Sequence, residues 1–274
     1  MVQALKTLPN YDPTLFEGAA EGYAQYRTKY PPELFAKLTE IFKLNGQGRL
    51  LDLGCGPGLI AIPLRTQFTE VIAIDPSSEM LQEAQRQAAS EGANNITWIE
   101  KGAELIDSSL GIFNLVTIGR AFHWMERELV LEKLYELLAD DGGIALINTN
   151  ENPWSSNLPW KQAAISVVKK WLGEERRTGQ RGQGVRKPVD PPHEVVIANS
   201  AFARQEVFEV PFQKTWTVSS YLGYLYTTAF ALKIFFGDNA PAFEADLQET
   251  LLAVEPSGEF TEEITANIHV VWKH

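Results

Sequence analysis

The chain has 274 residues, of which 45% are hydrophobic and 11% aromatic, a composition that excludes a disordered protein and is sufficient to bury a large core. Its net charge of −11 disfavours a polyanionic partner such as nucleic acid. The single cysteine, Cys55, excludes an intrachain disulfide framework and a thiolate metal cluster, so we expect no metal site.

The sequence contains no apolar run near the length of a membrane span, and no basic and then apolar segment typical of a secretion signal. We therefore expect a soluble cytoplasmic protein that does not contact a membrane. Residues 1–30 are rich in Tyr, Gly and Pro and predict an extended arm. A helix from Pro32 to Leu44 completes this N-terminal part, residues 1–48, because a proline opens it and its apolar residues recur on one face.

Residues 49–150 alternate between short apolar runs and amphipathic segments. Short, uniformly apolar strands separated by helices are typical of a doubly wound α/β fold with a mostly parallel sheet. The predicted strands are Arg49–Leu53, Val71–Ile74, Ile96–Ile99, Phe113–Ile118 and Ile144–Asn148, and the predicted helices are Leu59–Phe68, Ser77–Glu91 and Glu126–Ala139.

The alternation ends after Thr149. Residues 151–204 and 214–260 predict a helical and aromatic insertion that caps the sheet, with helices over Tyr221–Phe236 and Phe243–Val254 and a glycine-rich segment at Gly179–Gly184. Strands over residues 205–213 and 264–272 complete a seven-stranded sheet whose last strand is antiparallel. The whole chain, residues 1–274, is predicted to form a single Rossmann-like domain.

The stretch LLDLGCGPG, residues 50–58, places three glycines between a predicted strand and a predicted helix. Glycine permits positive φ and lets a ligand approach the backbone, and the helix start offers N–H groups. Asp75 ends the next strand, where a carboxylate can bind both ribose hydroxyls or else cap a helix. A phosphate, a dinucleotide and a sulfonium nucleoside are the candidate ligands. The third glycine comes one residue early for a dinucleotide fingerprint, and no Gly-Lys-Ser/Thr follows for a P-loop.

These residues resemble the class I S-adenosylmethionine-dependent methyltransferases over about residues 16–150. Four segments match motifs of that family: Leu50–Gly58, Val71–Ser77, Glu100–Glu104 and Leu138–Gly143. Two more, Phe16–Pro31 and Gly119–Trp124, are similar to the small-molecule branch that includes trans-aconitate methyltransferase-like proteins.

The resemblance implies S-adenosylmethionine as the cofactor. Asp52 is expected to orient the loop and the methionine amino end, Ala103 and Glu104 to lie beside the adenine, and Tyr23 to attract the sulfonium by a cation–π contact. The full cofactor site implied by the resemblance is Tyr23, Arg27, Asp52, Gly54, Cys55, Gly56, Gly58, Asp75, Pro76, Met80, Ala103, Glu104 and Gly119.

Three residues after the fourth strand are the catalytic candidates: Arg120, His123 and Trp124. Arg120 either pairs with a carboxylate of the methyl acceptor or points to solvent or to a nearby acid. His123 either contacts the acceptor, serves as general base for a neutral hydroxyl or amine, or is structural. Trp124 is either a cation–π partner of the sulfonium or a rim aromatic.

The expected function is methyl transfer to a small molecule, with a carboxylate or another oxygen as the nucleophile. Seven aromatic residues of the insertion are expected to wall the acceptor pocket: Trp154, Trp160, Trp171, Tyr221, Tyr224, Tyr226 and Phe230. The alternatives are a cofactor-binding protein without turnover, a tRNA or protein methyltransferase, and a nicotinamide dehydrogenase. The basic segment 169–187 is either a solvated loop or an anion-binding lid, and residues 1–31 and 173–187 are expected to close over bound ligand. The oligomeric state stays open.

Overall fold

The computed structural model describes residues 18–178, 184–185, 191–202 and 204–274. Its central feature is a seven-stranded sheet in the order β3-β2-β1-β4-β5-β9-β8. The strands are β1 Arg49–Leu53, β2 Glu70–Asp75, β3 Ile96–Glu100, β4 Phe113–Gly119, β5 Leu138–Thr149, β8 Arg204–Thr217 and β9 Glu259–Trp272, and a separate two-stranded ribbon joins β6 Arg177–Thr178 to β7 Gly184–Val185.

The first five strands of the sheet pair in parallel, and β9, the last strand of the chain, runs antiparallel to both of its neighbours. The predicted fold class, including the antiparallel last strand, is confirmed. Because β1 and β4 are neighbours while the chain passes from β1 to β2, the strand order reverses between them. Ligands of open α/β sheets bind in the crevice at such a point.

Helices cover the two faces of the sheet and build a cap beside it. The helices are α1 Ala20–Tyr26, α2 Pro32–Phe42, α3 Ala61–Leu64, α4 Ser78–Ser90, α5 Arg127–Leu137, α6 Pro159–Leu172, α7 His193–Ala198, α8 Val218–Leu225 and α9 Ala240–Val254. Two apolar cores lie on opposite faces of the sheet, and a third joins α6, α8 and α9 with the far ends of β8 and β9. None of the described helices is both long enough and apolar enough to cross a membrane.

The last two strands are longer than predicted. The prediction stopped short because the added residues are polar and lack the alternation that indicates a strand. Residues 213–215 and 261–263 do not alternate in hydrophobicity, yet Lys214 pairs with Glu262 in the antiparallel register. The extension brings Trp216 into the cap core, where its indole N–H donates to Glu262 at 2.7 Å. Glu262 also pairs with the buried Lys161. The antiparallel pair of β8 and β9 therefore joins the sheet to the cap.

Three predictions about helical segments differ from the structure. The arm is helical at α1 because Ala20 and Ala24 are buried against the cap and α4, a tertiary contact that composition does not reveal. The predicted helix 59–68 is an α-helix only over the four residues of α3, and Arg65–Gln67 follow it as a 3-10 helix. The predicted helix 221–236 ends at Leu225, where the hydroxyls of Thr227 and Thr228 donate to helix carbonyls.

Candidate functional site

The glycine loop joins β1 to α3 at the carboxyl edge of the sheet. Gly54, Gly56 and Gly58 all have positive φ, between 51° and 82°. A Cβ at Gly54 would lie 2.6 Å from the Ala121 Cβ, and one at Gly58 would lie 2.7 Å from the Ile62 side chain, so both are required by packing. A Cβ at Gly56 would meet no atom within 4 Å. Gly56 therefore leaves bare backbone facing open space.

Asp75 ties the end of β2 to this loop. Its Oδ2 accepts a hydrogen bond from the Gly56 N–H at 2.8 Å, and its Oδ1 accepts one from the Ser77 N–H at 2.9 Å. Burial raises the pKa of Asp75 to about 6, against the lowering effect of these two hydrogen bonds. Each carboxylate oxygen keeps a second lone pair for a ligand hydroxyl.

Asp52 lies behind the loop, with 1% of its surface exposed. Its Oδ1 accepts from the Thr117 hydroxyl at 2.8 Å and its Oδ2 from the Ala61 N–H at 3.0 Å. Burial raises the pKa of Asp52 to about 7 although both hydrogen bonds lower it. The residue fixes the strand, the loop and α3 relative to each other.

The loop borders a cavity of about 370 Å³ at the carboxyl edge of the sheet. Thirteen of the predicted site residues line it: Tyr23, Arg27, Gly54, Gly56, Asp75, Pro76, Met80, Ala103, Glu104, Gly119, Arg120, His123 and Trp124. The other three, Asp52, Cys55 and Gly58, do not line it, and their part in the cofactor site stays a prediction. Cys55 is buried among apolar residues of the sheet.

The segment after β3 forms another part of the cavity wall. Ala103 and Glu104 belong to a short 3-10 helix, and Glu104 Oε1 accepts a hydrogen bond from the Glu126 N–H at 2.9 Å. This bond links the segment to the start of α5. Met80, which is 5% exposed, projects from α4, whose N-cap is Ser77. Met80, Ala103 and Glu104 all line the cavity.

Tyr23 of helix α1 and Arg27, which directly follows this helix, both line the cavity. The Arg27 guanidinium lies 5.3 Å from the Tyr23 ring centroid and 5.4 Å from that of Tyr224, so it is held between two aromatic faces. Its Nε is buried and has no hydrogen-bond partner among the described residues. A buried donor in this state favours an anionic ligand group.

Arg120 follows β4 in the left-handed backbone region, with φ 55°. Its Nη1 donates to the Thr28 carbonyl at 3.1 Å, and its guanidinium lies 4.9 Å from the Tyr30 ring centroid. Among the described residues its buried Nε has no partner. Burial acts to lower the pKa of Arg120, but attraction to Tyr30 and to other neighbours outweighs it and keeps the side chain charged. Arg120 therefore neither points to solvent nor forms an ion pair with a described acid.

His123 and Trp124 lie in a short 3-10 helix after Arg120. Their ring centroids are 4.7 Å apart and the planes are tilted by 43°. Both side chains line the cavity next to Arg120. The segment thus carries a cation, an imidazole and an indole on one wall.

Several lining residues were not predicted as part of the site. Glu151 is the most informative, because its Oε1 accepts a hydrogen bond from the Thr28 hydroxyl at 2.8 Å. Its position at the end of β5, on the carboxyl edge of the sheet, was the available signal. The other unpredicted lining residues are Lys101, Gly102, Ala121, Met125, Asn148, Thr149, Asn152, Pro153, Arg176, Thr227, Thr228 and Ala229.

The predicted aromatic wall is largely wrong. Of its seven members only Tyr224 and Phe230 line the cavity. Trp160 and Tyr221 lie within the cap core, where their ring centroids are 4.8 Å apart, because the cap needs an apolar interior of its own. Trp154, Trp171 and Tyr226 pack against that core from its edge.

The basic segment divides between the two roles considered for it. Lys169 pairs with Glu174 at 3.3 Å and Lys170 with Asp246 at 2.7 Å, which are surface ion pairs. Arg176 instead lines the cavity, with its guanidinium 5.0 Å from the Phe230 ring centroid. Residues 179–183 and 186–190, which carry Arg181, Arg186 and Lys187, lie outside the described residues.

The described residues contain no group of three or more His, Cys, Asp and Glu side chains arranged to hold a metal ion. The cavity wall instead combines guanidinium groups, hydroxyls, aromatic rings and bare glycine backbone. Such a wall binds organic ligands through convergent polar groups on a largely preformed surface.

Comparison with known proteins finds similarity to methyltransferases around the glycine loop. Residues 50–142 match the model of a methyltransferase domain. An uncharacterized methyltransferase of Schizosaccharomyces pombe is 29% identical over 153 residues, which are 55% of this chain and 57% of that protein. A malonyl-[acyl-carrier protein] O-methyltransferase of Enterobacter lignolyticus is 35% identical over 98 residues, 35% of this chain and 37% of that protein. The chain spans about half the length of the curated relatives that it matches.

The fold is also similar to that of solved methyltransferase structures. A methyltransferase of Thiobacillus denitrificans, solved in complex with S-adenosyl-L-homocysteine, superposes with a TM-score of 0.51. The superposition covers 92% of this chain and 96% of that one at 14% identity, which shows a shared fold.

Proposed function

Because the chain belongs to the class I S-adenosylmethionine-dependent methyltransferases, we propose that it methylates an oxygen atom of a small molecule that carries a carboxylate. The observation that carries the proposal is the position of Arg27 and Arg120. Both guanidinium groups line the cavity bordered by the glycine loop, and both have a buried Nε without a described partner. Two such groups match two carboxylates, one on the methionine end of the cofactor and one on the acceptor.

The residues present fit the cofactor. Gly56 leaves backbone open to the cavity, and the Asp75 carboxylate beside it has lone pairs available for ribose hydroxyls. Gly54, Gly56 and Asp75 would hold the nucleoside, with Ala103 and Glu104 beside the adenine. Tyr23 and Arg27 would hold the methionine end.

When bound, S-adenosylmethionine supplies an electrophilic methyl group on a sulfonium sulfur. The task of the protein is then to hold an acceptor oxygen in line with that methyl group at about 3–3.5 Å and to keep water out. Arg120 performs the first task by binding one oxygen of the acceptor carboxylate, so that the other oxygen points to the methyl group. Tyr224 and Phe230 form an apolar part of the cavity wall and help to keep water out.

His123 and Trp124 line the same cavity, close in sequence to Arg120. For a carboxylate nucleophile no proton has to be removed, and His123 contacts the acceptor without accepting a proton. For a neutral hydroxyl, His123 accepts the proton as the oxygen attacks. Trp124 lies beside it as a cation–π partner for the sulfonium.

Two further observations support a small acceptor with an oxygen nucleophile. The cavity of about 370 Å³ is of a size for small molecules. The relative from Enterobacter lignolyticus is an O-methyltransferase. A cytoplasmic location is part of the proposal and is supported by the single cysteine of the sequence.

The proposal is tested by incubating the purified chain with methyl-labelled S-adenosylmethionine and a metabolite extract, and identifying the labelled products by mass. We expect label in a small carboxylate or its ester. Label found only in RNA or protein, and released by nuclease or protease, would contradict the small acceptor. Cofactor binding without any labelled product would indicate a protein that binds the cofactor without turnover.

A further inference from the structure

Glu151 is a charged residue of the cavity wall to which the proposed reaction assigns no role. It follows β5 and lines the same cavity as Arg120. Its Oε1 accepts the hydrogen bond from Thr28, and among the described residues no hydrogen bond reaches Oε2. The carboxylate therefore retains the capacity to accept a hydrogen bond from a ligand.

Glu151 and Arg120 belong to one electrostatic environment without neutralising each other by contact. The negative charge of Glu151 is among those that stabilise the charged form of Arg120. Even so, no ion pair within the described part of the chain joins the two side chains. Both contact Thr28, Arg120 at its carbonyl and Glu151 at its hydroxyl. An anion-binding group and a hydrogen-bond acceptor thus line the same cavity.

We propose that Glu151 determines acceptor specificity by accepting a hydrogen bond from an O–H or N–H group of an acceptor whose carboxylate is bound by Arg120. The inference rests on the proposed function and narrows its substrate class to carboxylates that also carry a hydrogen-bond donor. An analogue without the donor would leave the Glu151 carboxylate desolvated and unpaired, and such a loss disfavours the analogue roughly 10- to 100-fold.

A purely structural role for Glu151 makes a different prediction. If the residue only held the N-terminal segment through Thr28, then Thr28→Val, which removes that bond, would have a larger effect than Glu151→Gln, which can keep it. Thr28→Val removes the hydroxyl donor at nearly constant shape and leaves the Glu151 carboxylate in place. Glu151→Gln keeps an oxygen for the Thr28 hydroxyl but removes the charge and adds an N–H₂ group.

The experiment uses the acceptor identified from the labelled metabolite extract, together with analogues in which each O–H or N–H outside the methylated group is replaced by hydrogen. The measurement is the ratio of kcat/KM for the acceptor to that for each analogue. We expect one analogue to be disfavoured roughly 10- to 100-fold by the unmodified chain. In Glu151→Gln this ratio should fall towards one, and in Thr28→Val it should be retained.

The outcomes separate the inference from the function on which it rests. A labelled acceptor that has no O–H or N–H group would overturn the inference and leave methyl transfer intact. The same conclusion would follow if Glu151→Gln kept the discrimination, or if Thr28→Val lost it to the same extent. The absence of any labelled small molecule would contradict the proposed function itself.

Discussion

The backbone N–H of Gly56 donates a hydrogen bond to the Asp75 carboxylate at 2.8 Å, which ties the glycine loop to the end of the second parallel strand. One side chain thereby fixes the loop conformation and places its own lone pairs at the cavity. The loop and the carboxylate consequently act as one binding unit, and changes at either residue should affect the same ligand.

Asp75→Ala should weaken binding of S-adenosylhomocysteine by about 2–3 kcal/mol, because charge-assisted hydrogen bonds to the ribose are lost. Calorimetric titration measures this directly. Asp140→Ala is the matched control, since the Asp140 side chain is 93% exposed and does not line the cavity. An unchanged affinity in Asp75→Ala would place the ribose elsewhere.

Gly56→Ala should abolish cofactor binding while costing only a modest amount of stability. Gly92 offers a close control, because both glycines have positive φ and in both a Cβ would meet no atom within 4 Å. Each alanine should therefore lower the free energy of unfolding by about 1–2 kcal/mol through backbone strain. Gly92 lies at the end of α4, outside the cavity wall, so Gly92→Ala should bind S-adenosylhomocysteine normally. Equal affinity in the two variants would argue against Gly56 as a ligand-facing residue.

The parallel part of the fold was predictable because buried parallel strands are uniformly apolar and are separated by amphipathic helices. The antiparallel pair of β8 and β9 was predicted only in its apolar half. Its polar half is stabilised by contacts with the other strand, such as the hydrogen bond from the Trp216 indole N–H to Glu262, and the pattern of one strand alone does not reveal them. Helix α1 was missed for a similar reason, since it depends on the surface against which it packs.

Gly223→Ala should loosen helix α1. A Cβ at Gly223 would lie 2.4–2.6 Å from three ring carbons of Tyr26, so the ring must move and the contact between α1 and α8 is disturbed. We expect faster tryptic cleavage after Arg27 and weaker cofactor binding through Arg27. In the unmodified chain, bound cofactor should slow that cleavage.

Gly22→Ala is the control, and it should change the rate of tryptic cleavage in the opposite direction to Gly223→Ala. Gly22 lies within α1, and a Cβ there would meet only the Thr227 methyl group at 4.0 Å. Alanine should stabilise the helix by about 0.5–1 kcal/mol and slow the cleavage. If both variants were cleaved at the rate of the unmodified chain, with and without cofactor, the N-terminal segment would not close over the site.

Asp52 should make the ligand-free protein less stable as the pH rises. Burial raises its pKa from 3.8 to about 7, so between these values the folded chain binds more protons than the unfolded chain. The free energy of unfolding then falls with increasing pH, by up to ~1.4 kcal/mol per unit for one proton. Asp75, with its pKa raised to about 6, contributes in the same direction. Urea denaturation across this range should give a shallower slope for Asp52→Asn than for Asp140→Asn. Identical slopes would show that Asp52 does not titrate in this way.

Arg120→Leu should raise the KM for the acceptor far more than the Kd for S-adenosylhomocysteine, because the proposed ligand of Arg120 is the acceptor carboxylate. Its hydrogen bond to Thr28 should be lost as well, so a small loss of stability is expected. Steady-state kinetics and calorimetry on the same preparation separate the two constants. An equal loss of both would reassign Arg120 to the carboxylate of the cofactor.

The candidate site was predictable where its residues follow strands. Gly54 and Asp75 come directly after predicted parallel strands, and Ala103 and Arg120 come within four residues of the end of one. The carboxyl ends of these strands meet at one edge of the sheet, where all four residues line the cavity. The cap was predicted poorly, because aromatic residues serve equally well in its interior and on the cavity wall. Trp160 and Phe230 have similar chemistry in the sequence and both are buried in the cap core. Trp160 packs against Phe260 of β9, whereas Phe230 also lines the cavity, and the sequence does not distinguish these two positions.

The most direct test of the account is a calorimetric titration of the purified chain with S-adenosylhomocysteine and, separately, with NAD. The account predicts saturable binding of S-adenosylhomocysteine at one site per chain, lost in Gly56→Ala, and no binding of NAD. Tight binding of NAD together with no binding of S-adenosylhomocysteine would contradict it.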